Sequence, residues 1–276
     1  MCPNCRAFIS VKDKVCPYCE VRLGPRVVDR RHPSDLLGGL IPAARFTTVV
    51  ILMINFGLYL VTVVFSMKSG NSQAFMALDG RTLVLFGAKH GLLVLEHGEW
   101  WRLVTAGFLH GGLLHILMNS WVLFDLGTTV EHFYGTRRML VIYFVSTVTG
   151  FLLSSFWNPG ISIGASAALF GLIGAMIALG IRDRTSLGAA IKSMFIRWAI
   201  YGLIFGLLFP MIDNAAHIGG LAGGFVIGYI AGTPRLVEDF REQVWRWAAW
   251  AAVGITVLCF VRMFLDLQAY MVRPPV

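Results

Sequence analysis

Residues 164–181 read GASAALFGLIGAMIALGI, a stretch with no charge and one hydroxyl, Ser166, two places from its start. A helix needs roughly 17–25 mostly apolar residues to cross the hydrocarbon core of a bilayer, so this stretch reads as a short membrane span with a serine at its mouth. Six further apolar runs surround it, at about 46–66, 106–126, 139–157, 195–210, 215–232 and 247–266. They are continuous rather than alternating, which excludes a β-barrel. Over 276 residues the chain is 57% hydrophobic and 14% charged, with mean hydropathy +0.70. A soluble domain carries roughly 25% charged residues. The expected fold class is an all-α polytopic membrane protein, with Met211-Ile212-Asp213-Asn214 as a tight hairpin between the fifth and sixth spans.

Orientation follows from lysine and arginine, which concentrate in cytoplasmic segments. With the N-terminus inside, 17 of the 23 Lys and Arg fall on the cytoplasmic side, eight of them before the first span. The expectation is therefore N-terminus cytoplasmic and C-terminus outside. The net charge of +8 is this topology signal, helped by anionic inner-leaflet lipid, and requires no nucleic acid. No cleavable signal peptide is visible, because the first apolar run follows 45 mostly polar residues. A compact architecture without organelle signals points to a prokaryotic cytoplasmic membrane.

The first 22 residues carry Cys2-Pro3-Asn4-Cys5 and Cys16-Pro17-Tyr18-Cys19. Each Cys-x-x-Cys turn presents two thiolates, and two turns complete a tetrahedral Zn²⁺ site. The competing readings are two disulfides or four free thiols, and disulfides seldom persist in the cytoplasm. So short a segment cannot bury a core alone, and bound zinc would supply its folding energy. The expected organisation is a zinc-ribbon-like segment at 1–22, a basic linker at 23–45, a six-helix core at 46–232, and a loop with a seventh span and tail at 233–276. The ribbon is a candidate docking point for a cytoplasmic partner. Cys259 lies in the last span and reads as a small buried apolar residue.

Polar residues inside spans are costly. Four stand out: His115 and Asn119 in the second span, Ser166 in the fourth and His217 in the sixth. Singly, each has a structural reading. A serine returns its hydroxyl to its own helix, and a histidine or asparagine bonds a neighbouring helix. Together they form a pattern. All three spans run from outside to inside, with His115 about ten residues into its span, Asn119 one turn deeper, and Ser166 and His217 each within a turn of an outer end. All four then share the outward half of the bilayer. His115 and Asn119, at i and i+4, project from one helix face and suit an oxyanion hole. Ser166 at a helix start adds its own N–H. His217 is the candidate base for Ser166. Gly171 and Gly174, with Gly220, Gly224 and Gly228, are small-residue rows that let two helices approach, and Phe170 stands one turn below Ser166 to orient the imidazole. Asp213, four residues before His217, suggests a triad. Its turn is expected to be solvated, which favours a dyad.

These residues resemble the rhomboid family of intramembrane serine proteases over about 46–232. The segments are Trp101-Arg102, His110 with His115 and Asn119, Glu131 with Gly135, Gly164-Ala165-Ser166, and Ala216-His217 with Gly220 and Gly224. The resemblance implies a six-helix core, here with one extra C-terminal helix (six plus one). It also implies a Ser166–His217 dyad needing no cofactor, and an oxyanion hole of His115, Asn119 and the Ser166 N–H. The segment at about 67–105 is implied to fold partly into the membrane surface. The implied substrates are transmembrane proteins cut near the outer end of a helix that opens easily. Ala167 departs from the glycine usual after the serine, which is expected to narrow the space beside the nucleophile.

A second reading is a catalytically silent rhomboid-like protein that binds membrane clients, although this chain keeps both Ser166 and His217. A third is a transporter or zinc sensor. Against it, the chain shows no duplicated half and no charged residue near the centre of an expected span.

Overall fold

The computed structural model describes residues 9, 13–21, 45–234 and 239–272. Helix α1 (Phe46–Lys68) leads into a connecting segment that holds α2 (Gly80–Leu85), strand β1 (Lys89–His90), α3 (Gly91–Leu95), α4 (Arg102–Thr105) and a 3₁₀ turn (Ala106–Phe108). Helix α5 (Leu113–Val122) runs through a π turn (Leu123–Gly127) into α6 (Thr128–Trp157). Strand β2 (Ile161–Ser162), α7 (Ser166–Arg182), α8 (Ser186–Leu208), α9 (Asn214–Ala231) and α10 (Phe240–Val272) follow.

Four helical stretches among the described residues are long and apolar enough to cross a membrane: Phe46–Lys68, Leu113–Trp157, Ser186–Leu208 and Phe240–Val272. Leu113–Trp157 contains the third expected span and the second from Leu113 onward. Gly135, at φ 70° and ψ 163°, breaks it into two directions. Ser166–Arg182 is apolar but shorter, and α9 has a polar start and five glycines. The physical reason is position. Helix α7 is buried along most of its length, packed against α6, α8 and α9, so it faces protein where outer helices face lipid.

Two boundaries differ from expectation. The second apolar run was read from 106, yet the helix begins at Leu113. Residues 106–112 form the 3₁₀ turn and an extended stretch through Gly111-Gly112, and Leu109 is buried against protein, so apolarity there reports core rather than span. The fifth run was read from 195, whereas α8 starts at Ser186, with Thr185 capping it through the Gly188 N–H (3.3 Å). Arg197 consequently stands near the middle of α8, exposed and donating to Ser193 Oγ at 2.6 Å. The expected span at 195–210 has no charge near its centre, whereas the longer helix has Arg197 there.

The α7–α9 seam is a glycine contact. A methyl at Gly174 would lie 2.8 Å from the Phe225 nitrogen, one at Gly228 2.7 Å from Ala175 Cα, and one at Gly224 would overlap the Gly171 backbone. Any side chain there forces the helices apart, as at small-residue rows of membrane helices generally. Helix α10 crosses the outside of the bundle. At one end Glu242 pairs with Arg138 of α6 (2.8 and 2.6 Å). Towards the other end Met263 and Leu267 join Tyr59, Val63, Leu83 and Phe86 in a cluster that seats the connecting segment on α1.

Of the four N-terminal cysteines, Cys2 and Cys5 lie outside the described residues, as does most of the 23–45 linker. Cys16 and Cys19 sit on a tight turn. The Glu20 N–H donates to the Cys16 carbonyl and the Cys16 N–H to the Val21 carbonyl, both at 2.9 Å. Glu20 adopts the left-handed conformation, φ 56°.

Candidate active site

Ser166 opens α7, so its N–H lies among the first-turn amides that have no acceptor within the helix. The approach to it is β2, then Gly164 at φ 119°, a conformation that favours glycine, with its N–H held by the Ala106 carbonyl at 2.9 Å. Across the glycine seam, His217 occupies the first turn of α9. Its Nε2 lies 3.0 Å from Ser166 Oγ. For Nε2 to accept the serine proton, the ring proton must sit on Nδ1, and that buried nitrogen has no partner among the described residues.

Phe170 stacks on the imidazole, ring centres 4.1 Å apart and planes 13° apart. Behind it, α8 supplies Gly202, where a methyl would come within 2.6 Å of the Phe170 ring. The imidazole is thus fixed by Ser166 on one edge and by a backed aromatic face. A π face so placed also favours a positive ring.

His115 lies in the first turn of α5, not ten residues deep, because the helix starts at Leu113. Its Nδ1 accepts from the Gly111 N–H at 3.3 Å. A neutral ring with Nδ1 as acceptor carries its proton on Nε2, and a methyl on Gly164 would lie 2.7 Å from that Nε2 and 3.7 Å from Ser166 Oγ. The space above Gly164 is therefore open to an N–H donor and to the serine oxygen together. Asn119, one turn along, donates one amide hydrogen to the His115 carbonyl at 2.9 Å and keeps a second. Its Oδ1 is buried and unpartnered among the described residues. His110 packs edge-on against the His115 ring at 5.0 Å.

Two expectations about neighbours change. Asp213 is not a solvated turn residue: it is half-buried and caps α9 through the Ala216 N–H (3.1 Å). It also accepts from Ser154, so its oxygens are committed to the ends of α6 and α9. Ala167 is fully buried. A methyl on Gly150 of α6 would lie 2.8 Å from the Ala167 Cβ, and one on Gly220 would meet the Ala167 backbone. The Ala167 methyl therefore fills the junction of α6, α7 and α9 rather than the space beside Ser166.

One residue near the site had no signal in its sequence context. Lys89 is 0% exposed, with Nζ donating to the carbonyls of Asn158 (2.5 Å) and Gly160 (3.1 Å). In the sequence it is one loop cation among several, and only the pairing of β1 with β2, Lys89 opposite Ser162, reveals its place.

Comparison with known proteins gives one consistent result. A family model described as the Rhomboid domain matches residues 97–234. The Rhomboid protease GluP of Bacillus subtilis (strain 168) is 42% identical over 154 residues, covering 56% of this chain and 30% of that protein. RHOMBOID-like protein 6, mitochondrial, of Arabidopsis thaliana is 37% identical over 171 residues, 60% of this chain and 55% of that protein. Rhomboid-like protease 3 of Toxoplasma gondii is 30% identical over 202 residues, 71% and 73%. The chain thus spans under a third of the first relative and just over half of the second.

Proposed function

From the chain's membership of the rhomboid family, a multi-pass membrane protein, we propose that it is an intramembrane serine endopeptidase acting on transmembrane proteins. The observation that carries this is the 3.0 Å contact between Ser166 Oγ and His217 Nε2 across two apolar helices. Ser166 Oγ attacks the scissile carbonyl while its proton passes to His217 Nε2. Phe170 faces the ring that becomes positive. The developing oxyanion settles above Gly164, where His115 Nε2–H, the second amide hydrogen of Asn119 and the Ser166 N–H can donate. His217 then protonates the leaving amine, and water attacking the acyl-serine, with His217 again as base, regenerates the enzyme. A peptide bond inside a helix is shielded by its own hydrogen bonding, so the substrate is one whose helix opens near its end.

The same reading includes a six-plus-one topology with the N-terminus cytoplasmic, supported by the eight Lys and Arg that precede the first span. Its setting is a prokaryotic cytoplasmic membrane. It also includes one zinc per chain at Cys2, Cys5, Cys16 and Cys19, supported by the spacing and by the turn that joins the last two. Zinc content unchanged after replacing all four by serine would remove that part.

The function is tested with purified protein and a transmembrane substrate in liposomes, beside Ser166→Ala and His217→Ala. Cleavage is expected from the unaltered protein alone. Equal cleavage by the variants would overturn the dyad, and capture of substrates without cleavage would favour the client-binding reading.

A further inference from the structure

Lysine is almost never fully buried unless paired, so the burial of Lys89 needs an explanation that the dyad does not supply. Its ammonium grips two backbone carbonyls of the segment that leaves α6 and enters β2. Beside it, the Gly91 N–H holds the Pro159 carbonyl at 2.9 Å, and a methyl on Gly91 would lie 2.9 Å from Pro159 Cα. Asp213 holds the root of the same segment: its carboxylate takes the hydroxyl of Ser154, near the end of α6, as well as the Ala216 N–H. Asp213 lies four residues before His217. The carboxylate therefore joins the end of α6, from which the chain leads on to the nucleophile, to the cap of the helix bearing the base.

Resting on the protease reading, we propose that Lys89 and Asp213 are paired positioning residues: between them they clamp residues 154–160, which lead to Ser166, against the cap of the helix bearing His217, and so set the distance between Ser166 and His217. Neither is bonded to the reacting atoms. Their charges support each other. Burial lowers the Lys89 ammonium to about 8, and Asp213 opposes that fall. Burial also raises the Asp213 carboxyl, but its hydrogen bonds and Lys89 outweigh this and leave it below the usual range. Displacing a reacting group by about 1 Å can slow a reaction on the order of 10²-fold, so a clamp of this kind acts on rate more than on substrate binding.

The test uses the full chain in liposomes with Lys89→Met, Asp213→Asn and the double variant. Asparagine keeps an oxygen for the Ala216 N–H, so α9 stays capped. Three quantities are read: Ser166 labelling by a fluorophosphonate, kcat and KM on a transmembrane substrate, and amide exchange across 154–166 and 213–217. Each single variant is expected to lower labelling and kcat at least about tenfold with KM little changed. The double variant should be no worse than the poorer single, because the two act as one unit. Exchange should rise in both segments in each single variant. Labelling within about twofold of the unaltered protein, or losses that multiply in the double variant, would overturn the proposal. If the unaltered protein is not labelled, the protease reading fails and exchange decides: loosening at 213–217 in Lys89→Met supports the clamp, and loosening confined to β1 overturns it. Should Lys89→Met not fold, Asp213→Asn decides through exchange at 154–160.

Discussion

The buried charges at one end of the helix bundle and the candidate site at the other are partnered differently. At the end away from Ser166, two buried charged groups are each held by several partners. Glu131 accepts from the Thr47 and Thr48 N–H groups (2.8 and 3.0 Å) and from the Thr48 and Thr136 hydroxyls (both 3.0 Å). Arg138 forms a two-pronged pair with Glu242, reaches the Ala231 carbonyl at 3.4 Å, and lies under the Trp245 ring at 5.4 Å. At the Ser166 end, His217 Nδ1 and Asn119 Oδ1 are buried without partners among the described residues. An unsatisfied buried polar atom costs about 1–3 kcal/mol, and the candidate site carries that cost at two atoms. Glu131, Arg138 and Glu242 join helices, whereas the two unpartnered atoms belong to residues of the candidate site.

Four measurements break or sharpen that contrast, the largest effect first. Ser166→Ala or His217→Ala should reduce substrate cleavage by a factor on the order of 10⁴ or more while leaving thermal unfolding nearly unchanged. A large loss of stability would place these residues with the joining kind. Glu242→Ala should behave in reverse, destabilising the fold by about 3–5 kcal/mol because Arg138 is left as an uncompensated buried charge. Unfolding in detergent measures this, and labelling of Ser166 per folded molecule should hold. Asn119→Ala should lower kcat by roughly 10²–10³-fold, read from steady-state cleavage, with KM moved far less. Phe170→Leu keeps the bulk but removes the π face, and should slow cleavage by several-fold, since a cation–π contact contributes about 0.5–2 kcal/mol. An unchanged rate there would mean that Phe170 only packs.

Much of the site was legible because its chemistry is written in local terms. A hydroxyl at a helix mouth, a histidine opening another apolar run and an i, i+4 pair each stand out against residues that lipid or core would otherwise require. The glycine rows announced the α7–α9 seam for the same reason, since only close approach explains them. Residues 106–112 misled, because apolar side chains satisfy protein and lipid alike. Asp213 misled because a carboxylate in a turn looks solvated until its donors are counted.

From sequence alone came the class of protein, the family resemblance and the residues to suspect, since burial of apolar surface and the penalty on buried polar groups depend on residue type. Which way the Ala167 methyl points, where α5 begins, what Asp213 caps and why Lys89 is buried were decided only by tertiary structure. Each depends on atoms brought together from segments far apart in the chain: Gly150 against Ala167, and Lys89 against Asn158 and Gly160. Local periodicity holds no record of such contacts, because packing sets them only once the helices have met.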